Sequence, residues 1–191
     1  MASRPTREEA WKLLVECVPS DSLRRHALAV EGVMRFMARR AGEDEDLWGL
    51  AGMAHDIDYE RWPEQHCVKA RTLLEEHGWP EELVRAVVSH GWGICSDEEP
   101  LSLMEKTLYA VDELTGLVSA AALVRPSRSV LDLPAKSVLK KWKDRSFAAG
   151  VNREVIEKGA GMLGMDLPTL TEATIEGMRA VAAEIGLKGN L

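Results

Sequence analysis

The sequence predicts an all-α fold, and three observations carry that prediction. Apolar residues recur at spacings of three and four through most of the chain, the period of a helix with one buried face. No stretch sustains the period-two alternation of a half-buried strand, and no internal repeat is present. Capping boxes, prolines and glycines punctuate the apolar stripes where helices should start and stop.

Taken in order, Thr6-Arg7-Glu8-Glu9 has the form of a capping box. Trp11, Leu14, Val15 and Val18 follow it on one face, up to Pro19. Ser20 or Asp21 can cap a second helix with Leu23, Ala27, Val30, Met34 and Met37 inward, ending before Gly42. The acidic stretch Glu43 to Asp46 suits the positive end of a third helix, which carries Leu47, Leu50, Ala51 and Ala54 and delivers His55 at its last turn. Pro63 is expected to open a fourth helix with His66, Ala70, Leu73 and His77 on one face and Gly78 as its stop. Pro80 opens a fifth, with Leu83, Val84, Val87 and Val88 inward and His90 beside Val87, closed by Gly91-Trp92-Gly93. Ser102-Leu103-Met104-Glu105 is a second capping box, and its helix runs through Leu108, Val111, Leu114 and Val118 to about Ala122. Beyond Arg125 come a polar segment with Pro126 and Pro134, a short basic helix from about Ala135 to Trp142, and a piece from Asn152 to Gly161. A last helix, capped by Thr169-Leu170-Thr171-Glu172, extends to about Ile185. The expected organisation is a helical core over residues 1–122 and a C-terminal helical extension, 123–191, packed on the same core.

The 191 residues are 46% hydrophobic, enough for one sizeable core, and nothing forces a second. A net charge of −7 argues against general binding to nucleic-acid polymers or membrane surfaces. Cys17, Cys67 and Cys95 lie far apart without a CxxC pair, so they read as small buried hydrophobes rather than a disulfide framework. The first residues carry no apolar leader and no run of 18 apolar residues occurs, which makes a cytoplasmic, membrane-free protein the expectation.

The chemistry gathers around Ala54-His55-Asp56-Ile57-Asp58-Tyr59-Glu60. Adjacent helical residues point about 100° apart, so His55 and Asp56 can converge only where the backbone leaves the helix or where something sits between them. A metal ion would serve. His26, His66, His90 and Asp112 each fall at the inward edge or the end of another expected helix, where an imidazole or carboxylate is costly unless paired or metal-bound. Any one such histidine, taken alone, is more often a hydrogen-bonded core residue than a ligand.

As an ordered set, these residues resemble the HD-domain metal-dependent phosphohydrolases, all-α proteins whose pattern is a lone His, then His-Asp, then a distant Asp. His26, His55-Asp56 and Asp112 match in order. The contexts Gly52-Met53-Ala54-His55-Asp56-Ile57 and Tyr109-Ala110-Val111-Asp112 are similar too, over roughly residues 20 to 120. The resemblance implies a metal site held by His26, His55, Asp56 and Asp112. His66 and His90 fall where some members place two more histidines, which implies a dinuclear site bridged by Asp56. The implied cofactor is one or two divalent ions (Fe, Mn, Zn, Mg or Ni/Co), and the implied activity is hydrolysis of a small phosphate ester, such as a nucleotide. Two rival readings accompany it: a diiron oxygenase using the same six residues on a small polar or phosphonate-like substrate, and a regulatory protein that binds metal or nucleotide without turnover. The sequence departs from the common pattern in reading His-Asp-Ile-Asp rather than His-Asp-Ile-Gly, and it lacks the Gly-Tyr-Pro element of the cyclic-di-nucleotide phosphodiesterases. Segments such as Asp112-Glu113-Leu114-Thr115-Gly116-Leu117 resemble a subgroup with no transferable substrate.

Asp56 and Asp58 are the catalytic candidates, Asp58 as a proton shuttle or a holder of water, against the alternative that Asp58 and Glu60 form a solvated acidic loop. His77 is a weak ligand candidate because a histidine also suits a helix C-terminus. Trp62, Trp79 and Trp92 either line a pocket or pack loop corners. Between residues 125 and 145 lie seven basic residues against Asp132 and Asp144, a local balance of +5. Arg125, Lys136, Lys140, Lys141 and Lys143 are therefore candidates for drawing in an anionic substrate, against a merely solvated basic helix.

Overall fold

The computed structural model describes residues 4–191. Among these the chain forms nine α-helices: α1 (Arg7–Cys17), α2 (Asp21–Ala41), α3 (Glu45–Ala54), α4 (Val68–Glu76), α5 (Glu81–Ser89), α6 (Leu103–Leu123), α7 (Ala135–Trp142), α8 (Arg153–Met162) and α9 (Leu167–Ala180). No strand is present among the described residues; an isolated bridge, Trp92 to Ser96, closes the turn after α5. Among the described residues no helix is long and apolar enough to cross a membrane.

The two longest helices, α2 and α6, are the axes of the bundle, each 21 residues long. Helix α2 packs against α3, α6 and α9, and α6 packs also against α5, α7 and α8. One apolar cluster runs from Ala10 in α1 to Leu187 and contains Leu114, Ile156, Leu170 and Met178. The segment beyond residue 123 therefore shares the core of the rest. Close approach is achieved with glycine. A methyl at Gly177 of α9 would lie 2.5 Å from Val33 Cα, and one at Gly159 of α8 would lie 2.6 Å from Ala110 Cα on α6.

Local chemistry starts the helices as expected at Thr6 and Ser102, both complete capping boxes, and at Ser20, whose hydroxyl accepts from the Leu23 N–H. Asp44 caps α3, accepting from the N–H groups of Asp46 and Leu47, and pairs with Arg4. Two expectations are corrected. Pro63 opens only a 3₁₀ turn, Pro63–Gln65, and α4 begins five residues later, after Cys67 at φ 68°. His66 thus sits in a bend rather than on the face of α4. Helix α9 begins before Thr169: Asp166 is its cap, accepting from the Thr169 N–H, with Pro168 in the first turn. It ends at Ala180, short of the expected Ile185.

Candidate metal centre

Four helices bring the ligand candidates together. His26 comes from the first turns of α2, His55 and Asp56 from the end of α3, His90 from the end of α5 and Asp112 from the middle of α6. His66 reaches in from the bend before α4. Asp56 lies at the centre. Its Oδ2 is 3.4 Å from His55 Nε2 and 4.0 Å from His26 Nε2, while its Oδ1 is 3.5 Å from His66 Nε2 and 3.6 Å from His90 Nε2. Asp112 Oδ1 lies on the first side, 2.9 Å from His26 Nε2 and 3.2 Å from His55 Nε2. The carboxylate of Asp56 thus faces two donor sets, His26, His55 and Asp112 on one oxygen and His66 and His90 on the other.

The outer nitrogens fix the rings. His55 Nδ1 is 2.8 Å from the Gly52 carbonyl, and His90 Nδ1 meets the Val87 carbonyl. A carbonyl only accepts, so both Nδ1 atoms carry the proton and both Nε2 atoms present lone pairs to the centre when the rings are neutral. His55 is fully buried, and its Nε2 makes no hydrogen bond although two carboxylates lie within 3.4 Å. A lone pair facing carboxylates in a buried site is repulsive unless positive charge sits between them. The electrostatics agree. Burial alone would lower the pKa of His55, but Asp56 and Asp112 outweigh it and hold the imidazole well above its ordinary value. Burial likewise would raise Asp56 and Asp112, and the surrounding imidazoles, His55 foremost, hold both well below the carboxylate range. A divalent cation fits this cluster: the donor atoms of His26, His55 and Asp112 lie within 4.8 Å of one another, as do those of His66, His90 and the Cys67 thiol.

Asp58, expected as a catalytic or solvent-facing carboxylate, is neither placed on the cavity nor exposed. Its Oδ1 lies 2.7 Å from His66 Nδ1 and its Oδ2 accepts the Ala70 N–H at 2.7 Å. One carboxylate both orients the His66 ring and accepts an N–H from the first turn of α4, as a capping side chain would. Glu60 accepts the Ser20 N–H and so ties the loop to the start of α2. His77 stays at the end of α4, bonded to the Leu73 carbonyl.

The cavity over the cluster has a volume of about 340 Å³ and is walled by Tyr59, Ile94, Cys95, Glu113, Gly116, Gly150 and Val155 in addition to ligand candidates. None of Arg125, Lys136, Lys140, Lys141 and Lys143 lines it, and neither do the three tryptophans. Arg125 pairs with Asp132, and Lys141 lies over the Phe147 ring. Trp79 is buried, while Trp62 and Trp92 carry Lys69 and Lys158 on their faces. Tyr59, Glu113 and Cys95 are wall residues that no helical periodicity marks, though Tyr59 follows Asp58 and Glu113 follows Asp112 in sequence. Gly150 and Val155 had no local signal, since Val155 reaches the site through the packing of α8 on α6 and Gly150 from the turn that precedes α8.

Residues 23–117 match the HD domain family. Over 138 residues the chain is 29% identical to ribonuclease Y of Desulfotalea psychrophila, an alignment that covers 69% of this chain and 26% of that protein. The chain thus spans about a quarter of that relative. No solved structure matches it. The helical bundle, the ordered histidines and aspartates and the match over residues 23–117 place the chain in the HD-domain superfamily.

Proposed function

We propose that the protein is a metal-dependent phosphohydrolase of a small phosphate ester, of about nucleotide size. The observation that carries this is Asp56, one partly buried carboxylate whose two oxygens face two separate sets of imidazoles. HD-domain proteins are generally metal-dependent phosphohydrolases, and the ribonuclease relative is named for cleavage of a phosphate ester. A bound divalent ion supplies Lewis-acid neutralisation of phosphoryl oxygens and a water acidified toward neutral pH. His26, His55 and Asp112 would hold one ion, His66 and His90 a second, with Asp56 shared. Gly52, Val87 and Asp58 keep three of the rings aimed. The cavity, about 340 Å³, is of a size for a small ester. No Lys or Arg lines it, which favours a small substrate over a polymer that needs a basic track.

The test is a panel of phosphorylated metabolites with protein loaded in turn with manganese, zinc and iron, alongside metal analysis of freshly purified material. Asp56→Ala is expected to lower kcat on the order of a thousandfold with the helical circular-dichroism signal retained. Hydrolysis by folded Asp56→Ala at the wild-type rate would sink the reading. Two irons with oxygen uptake and no phosphatase activity would instead favour the oxygenase, which uses the same six residues.

A further inference from the structure

Behind the wall of the cavity two thiols that lie 28 residues apart in sequence stand 3.0 Å apart, Cys67 Sγ to Cys95 Sγ. Simple packing of two small apolar side chains does not bring sulfurs that close; Cys17, buried in α1, shows no such partner. Room for the pair is made by Gly91, where a Cβ would lie 2.2 Å from Cys95 Sγ and 2.5 Å from Cys67 Sγ. Cys67 is fully buried at an uncommon φ of 68°, one residue after His66. Cys95 lines the cavity and sits in the turn that begins one residue after His90, held by its own N–H to the Gly91 carbonyl. The two sulfurs thus join the two backbone segments that position the histidines on the Oδ1 side of Asp56.

We propose that Cys67 and Cys95 are a peroxide-responsive dithiol, and that their disulfide weakens the hold of His66 and His90 on metal. Hydrogen peroxide would oxidise the Cys95 sulfur, the one open to the cavity, to a sulfenic acid with release of one water. The Cys67 sulfur then displaces the hydroxyl, which leaves as a second water once protonated, and the S–S bond forms. Two thiols lose two electrons and two protons, and one peroxide becomes two waters. Shortening the contact from 3.0 Å to a bond of about 2.05 Å draws the Cys67 bend and the Gly91 turn together by about 1 Å. His66 is gripped by Asp58 on one side of that bend, so its ring must shift relative to Asp56. The donors His26, His55 and Asp112 lie on other elements and are spared.

The bond can be tested without any substrate, so its failure is separate from failure of the phosphohydrolase reading; only the consequence rests on the metal site. Metal-loaded protein is treated with a small excess of hydrogen peroxide and followed by intact mass, thiol titration, peptide mapping and metal content. Expected are a loss of 2 Da, a peptide linking Cys67 to Cys95, Cys17 still free, roughly tenfold weaker retention of one ion, and recovery with dithiothreitol. Cys17→Ala should behave as wild type, and Cys67→Ala and Cys95→Ala should each block the link. Addition of oxygens at Cys95 without a link, or a link that leaves metal retention unchanged, would overturn the proposal. If one cysteine variant fails to fold, the other together with mapping of the wild type still decides.

Discussion

Asp58 occupies the position where the common form of the motif has glycine, and its two oxygens are committed to His66 Nδ1 and to the first turn of α4. Asp58→Asn keeps the shape but can accept at only one oxygen. The expected result is loss of one ion with about 10–100-fold weaker affinity and a lower melting temperature, read by metal titration and thermal unfolding; tight binding of two ions by this variant would rule out the orienting role. The ligand candidates were legible in sequence because imidazole and carboxylate are rare beside apolar stripes, and because their order matched a known pattern. The role of Asp58 was not legible. It depends on where His66 and Ala70 lie, and that is set by a bend with Cys67 at positive φ, which no periodicity encodes. The basic residues of 125–145 read equally as a substrate lip or as a solvated basic helix, because charge does not say which way a helix faces.

At the scale of elements, caps and stripes were legible wherever the signal is local, as at Thr6, Ser20 and Ser102. They misled where two signals competed, as at Pro63 and at Asp166 against Thr169. The Asp44 cap permits a pH test. Its hydrogen bond from Arg4, and then that from Leu47, lower its carboxyl pKa to about 2 from an ordinary 3.8. A depressed carboxylate pKa contributes stability that is complete above the ordinary value and lost as pH falls through the folded one. Asp44→Ala should therefore cost about 1 kcal/mol near neutral pH, and the half-exposed pairing with Arg4 adds little to that. The difference from wild type should close between about pH 4 and pH 2; a constant difference across that range, measured by urea unfolding, would contradict it. Gly159→Ala tests the contact of α8 with α6. An added methyl meets Ala110 on α6, so a loss of about 1–3 kcal/mol is expected. The strain should also displace Val155, and with it the cavity wall.

For the whole molecule, binding of ligand by the native state alone adds stability by mass action. Six donors that come from four helices and a bend do not exist as a site in the unfolded chain, so metal at about 100 times its dissociation constant should add about 2.7 kcal/mol. In a protein of this size that is roughly 5–10 °C in melting temperature. Scans with manganese or zinc against scans with chelator measure it; an unchanged midpoint in every metal would mean that the donors do not act together. The all-α class was legible from periodicity, whereas the particular contacts of α7, α8 and α9 with α2 and α6 are a matter of which helix faces meet.

The packing of α9 on α2 through Gly177, and of α8 on α6 through Gly159, also sets a schedule. Every ligand candidate has left the ribosome's active centre once Asp112 is made, but the helices that brace α2 and α6 follow it in the chain. At about 5–20 residues per second the nascent polypeptide carries a full complement of donors for several seconds, on the order of ten at the slow end, before α9 is complete. During synthesis, then, the histidines, aspartates and thiols of the site are made before α8 and α9, the helices that brace α6 and α2.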